Sequence, residues 1–176
     1  MIKDFKSLVG AKILEYSSGQ VLGLVSGVVI HPDTGVVEAF WVKPLTLPIK
    51  SAVLKASDVL EFKKHLYIKD DRVLAQANDI IRINEILDDG REFLGANVVS
   101  ETGAPYGKCT NLTFDTVTYL LKQIYVQRVF LSLYVLDERI FSYGDIIRVL
   151  PGEIIVNDDI GKKETLLGTT PEAAAS

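Results

Sequence analysis

The sequence predicts an all-β protein, built as two small β-barrels in tandem that are joined by one short α-helix. The first observation behind this prediction is a repeat. The stretch SGQVLGLVSG (18–27) has a glycine at every fourth position within an apolar run, and it has a partner in TGAPYGKCTN (102–111). In this alignment Gly19 matches Gly103, and Gly23 matches Gly107. A duplicated module therefore organises the chain.

The same register continues without a gap from Ile30 opposite Phe114 to Val42 opposite Val126. Upstream, with one residue inserted, 8–11 match 93–96, and downstream 53–60 match 140–147. We therefore divide the chain into repeat 1 (1–76), a linker helix (77–90), repeat 2 (91–158) and a tail (159–176). The tail is small and polar, which predicts disorder. Two copies of one module also predict pseudo-two-fold packing.

The second observation is the strand pattern. Short runs rich in β-branched and aromatic residues, bounded by turn residues such as those at 17–19 and 31–35, predict strands of a barrel or sandwich. In repeat 1 we expect strands at 11–16, 21–31, 36–43, 53–56, 59–63 and 65–69. In repeat 2 we expect them at 97–100, 108–114, 120–127, 129–136, 140–141, 146–150 and 153–157.

One segment between the repeats has the spacing of a helix. Within 78–87, Ile80, Ile83 and Leu87 recur at helical intervals, and Asn78 precedes them as an expected N-cap. The run Asp88-Asp89-Gly90 ends the pattern. This predicts the short connecting helix.

Composition limits the class of protein. The 176 residues are 48% hydrophobic, which is enough to bury a core without disulfides or metal. The net charge of −4 gives no surplus of cations for phosphates, so nucleic acid is disfavoured. The longest apolar segments, 21–30 and 129–136, fall short of the roughly 20 residues of a membrane helix. With Cys109 as the single cysteine, no cysteine cluster can form. We expect a cytoplasmic protein with no membrane span.

The residues also support a family resemblance. The pattern LVGAKILEYSSGQVLGLVSGVVIHPDTGVVEAFWV with ASDVLEF, and its echo FLGANVVSETGAPYGKCTNLTFDTVTYLLKQIYV with YGDIIRV, resemble two PRC-barrel domains. This family is named from the cytoplasmic domain of the photosynthetic reaction-centre H subunit, and it also supplies the C-terminal domain of the ribosome-maturation factor RimM. The resemblance covers almost the whole chain except the helix and the tail. It implies small barrels and a role in interaction or assembly.

The glycines do not fit a phosphate site. A dinucleotide fingerprint needs G-x-G-x-x-G at the start of a helix, and a Walker loop needs Gly-Lys-Ser/Thr. The residues around them instead favour strands. We therefore expect Gly19 and Gly103 to form turns, and Gly23 and Gly107 to allow bending or the close approach of a neighbouring strand. Gly27, which Asn111 replaces in repeat 2, has the same expected role.

The candidates for chemistry are few. Asp58 and Asp145 are the one acidic pair that both repeats keep, and each precedes an aliphatic strand, as carboxylates of structural turns do. A hydrolytic site between the repeats is the alternative. His31 and His65 lack the partners of a catalytic triad, and Cys109 aligns with a strand residue. We predict no catalytic, cofactor-binding or metal-binding residues, and hence a protein that is not an enzyme.

An apolar surplus indicates an interface. The segment 129–136 would present apolar side chains on both faces of a strand, although a tiny barrel has only one interior. The sister repeat, the helix or another subunit would cover the excess. The candidate interface residues are Phe40, Trp41, Phe130, Leu133, Tyr134 and Leu136.

The predicted function is a non-enzymatic interaction or assembly module that binds an unidentified protein partner, with a homodimer as one form of this. The alternative is a ribosome- or RNA-associated factor, implied by the resemblance to RimM. It would use the lysines of repeat 1, namely Lys43, Lys50, Lys55, Lys63 and Lys64.

Overall fold

The computed structural model describes residues 1–131 and 134–158, without the side chains of Phe130 and Leu136. The predicted tail, 159–176, lies outside the described residues. The structure is mostly β and consists of two curled sheets, which confirms the all-β class. Within the described part of the chain, no helix has the length and apolar character needed to cross a membrane.

The strands and helices follow one another in two similar series. The chain begins with β1 (Ile2–Asp4) and α1 (Phe5–Leu8). Repeat 1 follows with β2 (Lys12–Glu15), β3 (Val21–Ile30), β4 (Val37–Pro44), β5 (Ala52–Lys55), β6 (Val59–Phe62), β7 (Leu66–Ile68) and β8 (Leu74–Ala75). Helix α2 (Ile81–Asp89) leads into β9 (Asn97–Ser100), β10 (Pro105–Asp115), β11 (Leu121–Phe130), β12 (Tyr134–Ser142), β13 (Ile146–Leu150) and β14 (Glu153–Val156).

The two sheets have the same strand order. It is β6-β7-β2-β3-β4-β5 in repeat 1 and β13-β14-β9-β10-β11-β12 in repeat 2. In each sheet one pair is parallel, β2 with β7 and β9 with β14, while the other pairs are antiparallel. Repeat 1 adds β8 beside β5, and repeat 2 gains β1 beside β10.

Equivalent backbone bonds accompany this shared order. The N–H of Gly10 donates to the carbonyl of Val25 at 2.8 Å, and the N–H of Gly95 donates to the carbonyl of Cys109 at 2.8 Å. The register of β3 with β4 shifts between Val25 and Gly27, and that of β10 with β11 shifts between Cys109 and Asn111. The two repeats therefore have a bulge at the same aligned place, where the strand bends.

The two sheets meet in a reciprocal contact. The N–H of Val37 donates to the carbonyl of Tyr119 at 2.8 Å, and the N–H of Leu121 donates to the carbonyl of Gly35 at 2.8 Å. Because 35 matches 119 and 37 matches 121 in the sequence alignment, each repeat gives the other the same bond. Such an exchange is what a two-fold relation between the repeats requires.

A single core fills the space between the sheets. Phe40 of repeat 1 and Phe114 of repeat 2 are both fully buried, with ring centres 6.2 Å apart. Phe62 lies 5.8 Å from Phe40 and 6.1 Å from Phe114. The repeats therefore share their apolar interior instead of each enclosing a separate one.

A smaller apolar cluster lies outside that core. Helix α2 presses Ile83 and Ile86 against Val29, Ala39 and Val53, which come from the first sheet. The helix between the repeats thus covers a face of repeat 1.

The first two elements of the chain, β1 and α1, contact repeat 2, although the sequence division places them in repeat 1. Strand β1 belongs to 1–76 by sequence, but it pairs with β10 of repeat 2. Asp4 accepts a hydrogen bond from the Asn111 side chain, whose oxygen accepts one from the backbone N–H of Lys6 at 3.1 Å. Each repeat is therefore packed against the segment that precedes the other.

Some predicted elements are corrected. The strand expected at 129–136 is wrong, because the chain reverses there: β11 ends at Phe130 and β12 begins at Tyr134. Leu131 has a left-handed φ of +51°. Leucine rarely adopts this turn conformation, so the sequence does not indicate a turn here. Asn78 does not cap the helix, since it lies in a 3₁₀ turn and α2 begins at Ile81. Strand β1, helix α1 and strand β8 are short elements that the sequence pattern did not reveal.

Candidate protein-interaction surface

The hairpin formed by β11 and β12 extends beyond the part of the fold that the repeats share. In repeat 1 the β4–β5 ladder stops at Val42 opposite Ala52. The equivalent pair in repeat 2 is Val126 opposite Arg139, and the ladder continues from there to Phe130 opposite Tyr134. We call this continuation of the ladder, 127–138, the hairpin extension; the corresponding connection in repeat 1, 43–51, is three residues shorter and has no β4–β5 pairing.

The hairpin extension exposes apolar side chains. The exposed fractions are 47% for Val129, 71% for Leu131, 66% for Tyr134 and 56% for Val135. A cluster of exposed apolar residues in an extension that the shared fold does not need is typical of a binding surface.

The predicted interface residues in this region have different outcomes. Tyr134 is exposed at the start of β12. Phe130 and Leu136 belong to β11 and β12, but their side chains lie outside the description. Leu133 lies outside the described residues altogether.

The outer edge of β12 is open. In repeat 1 the equivalent strand β5 is covered by β8, which pairs Ala75 with Val53 and Leu74 with Leu54. In repeat 2, no described strand pairs with the outer edge of β12. An uncovered edge presents backbone donors and acceptors to another strand.

Charged residues line this edge. Arg139 donates from Nε to Asp137 Oδ2 at 2.9 Å, and its guanidinium lies 4.7 Å from the centre of the Tyr106 ring. The Glu138 carboxylate accepts a hydrogen bond of 2.7 Å from Gln127 Nε2 across the hairpin. The side chains of the edge are thus held in place by neighbours in the same chain.

Phe40 and Trp41 do not join this surface. Phe40 is 0% exposed and packs against Phe114 of repeat 2, so the sister repeat, one of the three covers expected for the apolar excess, covers it. Trp41 is half-buried beside α2 and packs on Gly27, where an added Cβ would lie 3.0 Å from its ring. It lines a cleft of about 270 Å³ together with Phe5, Val28, Leu87 and Leu94.

The four predicted structural glycines serve the backbone. Gly19 and Gly103 have left-handed φ values of +72° and +86° in turns. A Cβ at Gly23 would lie 2.7 Å from Val42 Cγ1, and one at Gly107 would lie 2.6 Å from the carbonyl carbon of Gln127. The first pair thus allows a turn and the second a close approach between strands.

Asp58 and Asp145, which are equivalent in the two repeats, each end a 3₁₀ turn that leads into a strand, β6 or β13. Asp58 contacts Lys55 Nζ at 3.2 Å, and Asp145 accepts a hydrogen bond from the backbone N–H of Ser142 at 2.9 Å. Each carboxylate is engaged by its own turn.

The remaining reactive side chains are engaged locally as well. Nδ1 of His31 accepts from the N–H of Asp33, and Nδ1 of His65 accepts from the N–H of Lys12, both at 3.2 Å. Desolvation and the nearby lysines lower the pKa of His65.

Cys109 is buried, and burial raises its pKa to about 12, so the thiol stays protonated at neutral pH. Across 1–131 and 134–158, no three His, Cys, Asp or Glu side chains are grouped to hold a metal ion.

One ion cluster was missed by sequence reasoning. Arg91 bonds Asp33 Oδ1 through Nη1 and Asp89 Oδ1 through Nε, both at 2.6 Å. The hydrogen bonds from Arg91 lower the pKa of both carboxyl groups. The cluster ties the turn after β3 to the end of α2. Residues 33 and 91 are 58 positions apart, so no local pattern could have indicated it.

Part of the lysine-rich face of repeat 1 is neutralised. Lys55 pairs with Asp58, and Lys63 Nζ lies 2.6 Å from Glu61 Oε1. These contacts leave less positive charge for phosphates than the count of lysines implied.

No family model matches this chain, and no curated protein matches it either.

Proposed function

We propose that the chain is a tandem of two PRC-type repeats that acts as a non-enzymatic protein-interaction module, and that the hairpin extension is its binding surface. The observation behind the proposal is that repeat 2 lengthens one hairpin past the shared fold and exposes Val129, Leu131, Tyr134 and Val135 on it. In repeat 1 the equivalent ladder stops at Val42 opposite Ala52.

The energetics support binding. Leaving a large apolar side chain in water forgoes about 1.5–3 kcal/mol relative to full burial. The four apolar side chains of the extension are 47% to 71% exposed, so a partner that covers them gains much of that free energy. Aromatic and aliphatic anchors of this kind dominate binding energies at protein interfaces.

The flanking charges restrict the partner. Arg128, Asp137, Glu138 and Arg139 border the apolar tip, so both signs occur along one strip. A fitting partner is a protein surface with an apolar centre and a rim of both charges, and not a uniformly charged polymer.

The experiment compares hairpin variants with a matched surface variant. Leu131→Asp and Tyr134→Asp place charge on the extension, whereas Leu60→Asp does so on β6 of the first sheet, where Leu60 is 59% exposed. Each tagged variant is used for affinity capture from the native cell with mass spectrometry, and light scattering gives its mass. Circular dichroism verifies the fold.

We expect the hairpin variants to lose captured proteins or assembled mass, and the Leu60 variant to retain both. If all three variants behave as the original chain does, the hairpin extension is not the binding surface and the proposal fails.

A further inference from the structure

We infer that the open edge of β12 binds the β12 edge of a second copy of this chain, forming a two-fold dimer with one continuous sheet. The inference rests on the proposed function, because it names the partner of the same hairpin. Its starting point is the contrast between the repeats: β5 is covered by β8, while β12 has no described strand on its outer side.

Symmetry restricts how two such edges can pair. The two-fold axis that relates neighbouring antiparallel strands is perpendicular to the sheet, so side chains of one face meet side chains of the same face. Positions that lie opposite each other therefore differ by an even number. The axis passes between one residue and its own copy, and we call this residue the one on the axis.

The charges of β12 select the register. With Asp137 or Arg139 on the axis, two like charges meet and no opposite pair compensates for them. With Ile140 on the axis, no charged pair forms. With Glu138 on the axis, Asp137 of each chain lies opposite Arg139 of the other, which gives two pairs of opposite charge.

The same register places the exposed tip beside the second copy. The β11–β12 ladder shifts between Arg128 and Val129, so Leu136 is an extra residue on β12, and the regular pairing between copies covers 137–139. The tip of each hairpin lies beside the base of the other, so Tyr134 and Val135, which are 66% and 56% exposed in one chain, gain a neighbour. An unrelated strand would have to place opposite charges at both Asp137 and Arg139, so the charged edge disfavours most other partners.

Charge reversal tests the pairing. Asp137→Arg or Arg139→Asp alone would place like charges in both pairs, so sedimentation should show a dissociation constant raised about tenfold or more. In an equimolar mixture of the two variants, every pair becomes opposite again. We expect the mixture to bind within about threefold of the original chain. A mixture as weak as the single variants would overturn the inference.

A substitution of the residue on the axis should strengthen the dimer, whereas the charge reversals weaken it. Two Glu138 carboxylates would repel each other, so Glu138→Gln should strengthen the dimer about threefold, while its amide oxygen can still accept from Gln127. A weaker dimer in this variant would contradict the register.

Cross-linking provides a readout that does not depend on charge. Directly opposed residues have Cα atoms about 4.5–5.5 Å apart, which is within the range of a disulfide, so Glu138→Cys should link to its own copy on mild oxidation. The control is Ile147→Cys, at a 46% exposed position on β13, the opposite edge of the sheet. Cys109 is buried and does not compete. Equal linking of both variants would overturn the inference.

The two proposals can fail separately. A chain that stays monomeric to about 100 µM, yet loses a different protein when Tyr134 is replaced, would overturn the dimer and retain the proposed function. If hairpin variants change neither mass nor capture, both proposals fail.

Discussion

Gly35 and Tyr119 occupy equivalent places in the two repeats, and both have a left-handed backbone, with φ of +66° and +58°. Their carbonyl groups accept the two reciprocal bonds that join the sheets. A tyrosine in this conformation is strained, but its ring lies 6.2 Å from that of Phe40, where it packs on the shared core. The turn geometry is thus retained in both repeats even though only one of them has a glycine.

The reciprocal bonds predict slow hydrogen exchange. The amides of Val37 and Leu121 are the donors, and both residues are almost fully buried, at 0% and 2% exposed. We expect them to exchange only on global unfolding, although they lie at the start of their strands. Exchange measured by NMR checks this, with the exposed turn residue Ser17 as the fast reference. If either amide exchanges as fast as Ser17, the sheets separate locally in solution.

The recurring glycines predict a difference in stability. At Gly107 a Cβ would meet the backbone of Gln127, which cannot move aside, and φ is +126°. At Gly103 φ is +86°, but there is open space. We expect Gly107→Ala to lower the free energy of unfolding by about 3 kcal/mol and Gly103→Ala by about 1 kcal/mol, as measured by denaturant titration. Equal losses would show that backbone conformation alone fixes both glycines.

This difference shows why the repeat could be predicted. Gly19 and Gly103 are needed for φ, and Gly23 and Gly107 for space, so each pair is fixed by the backbone in both copies. A pattern fixed by the backbone stays visible when the surrounding side chains diverge. The shared strand order and the bulges at 25–27 and 109–111 agree with the repeat that this pattern indicates.

Other features could not be predicted because they depend on distant partners. Strand β1 is only three residues long and is stabilised by β10, more than 100 positions away. The turn within 129–136 was missed because Leu131 adopts a positive φ without the glycine or asparagine that usually marks one.

The candidate interface could be predicted only in part, because its exposure also depends on packing between distant residues. An excess of apolar residues was visible at Phe40 and in the hairpin. Which part of it the chain covers itself depends on packing between repeats: Phe114 covers Phe40, while Tyr134 stays exposed.

The contact of α2 with repeat 1 predicts a loss of stability that Trp41 reports. Ile83 is 2% exposed and packs in the same cluster as Trp41, whereas Ile81 is 78% exposed on the same helix. We expect Ile83→Ala to lower the free energy of unfolding by about 3 kcal/mol and to shift the Trp41 emission to longer wavelength. Ile81→Ala should change stability by less than about 0.5 kcal/mol. Similar values for the two variants would mean that the helix does not pack as described.

Asp115 predicts how stability responds to acid. Its Oδ1 accepts hydrogen bonds from the N–H groups of Val117 and Thr118 at 2.8 and 2.9 Å, and the amino group of Met1 lies 3.4 Å from Oδ2. These bonds lower its pKa from 3.8 to about 2.

Because the folded pKa is below the unfolded one, the carboxylate stabilises the fold fully above pH 3.8 and loses this effect as the pH falls through about 2. Asp115→Asn keeps an oxygen that can accept from the turn but removes the titrating charge. We therefore expect the variant to be less stable than the original chain near neutral pH, and the difference to shrink between about pH 4 and pH 2. Thermal unfolding at a series of pH values measures it. A difference that stays constant across this range would show that the charge of Asp115 contributes nothing to the turn.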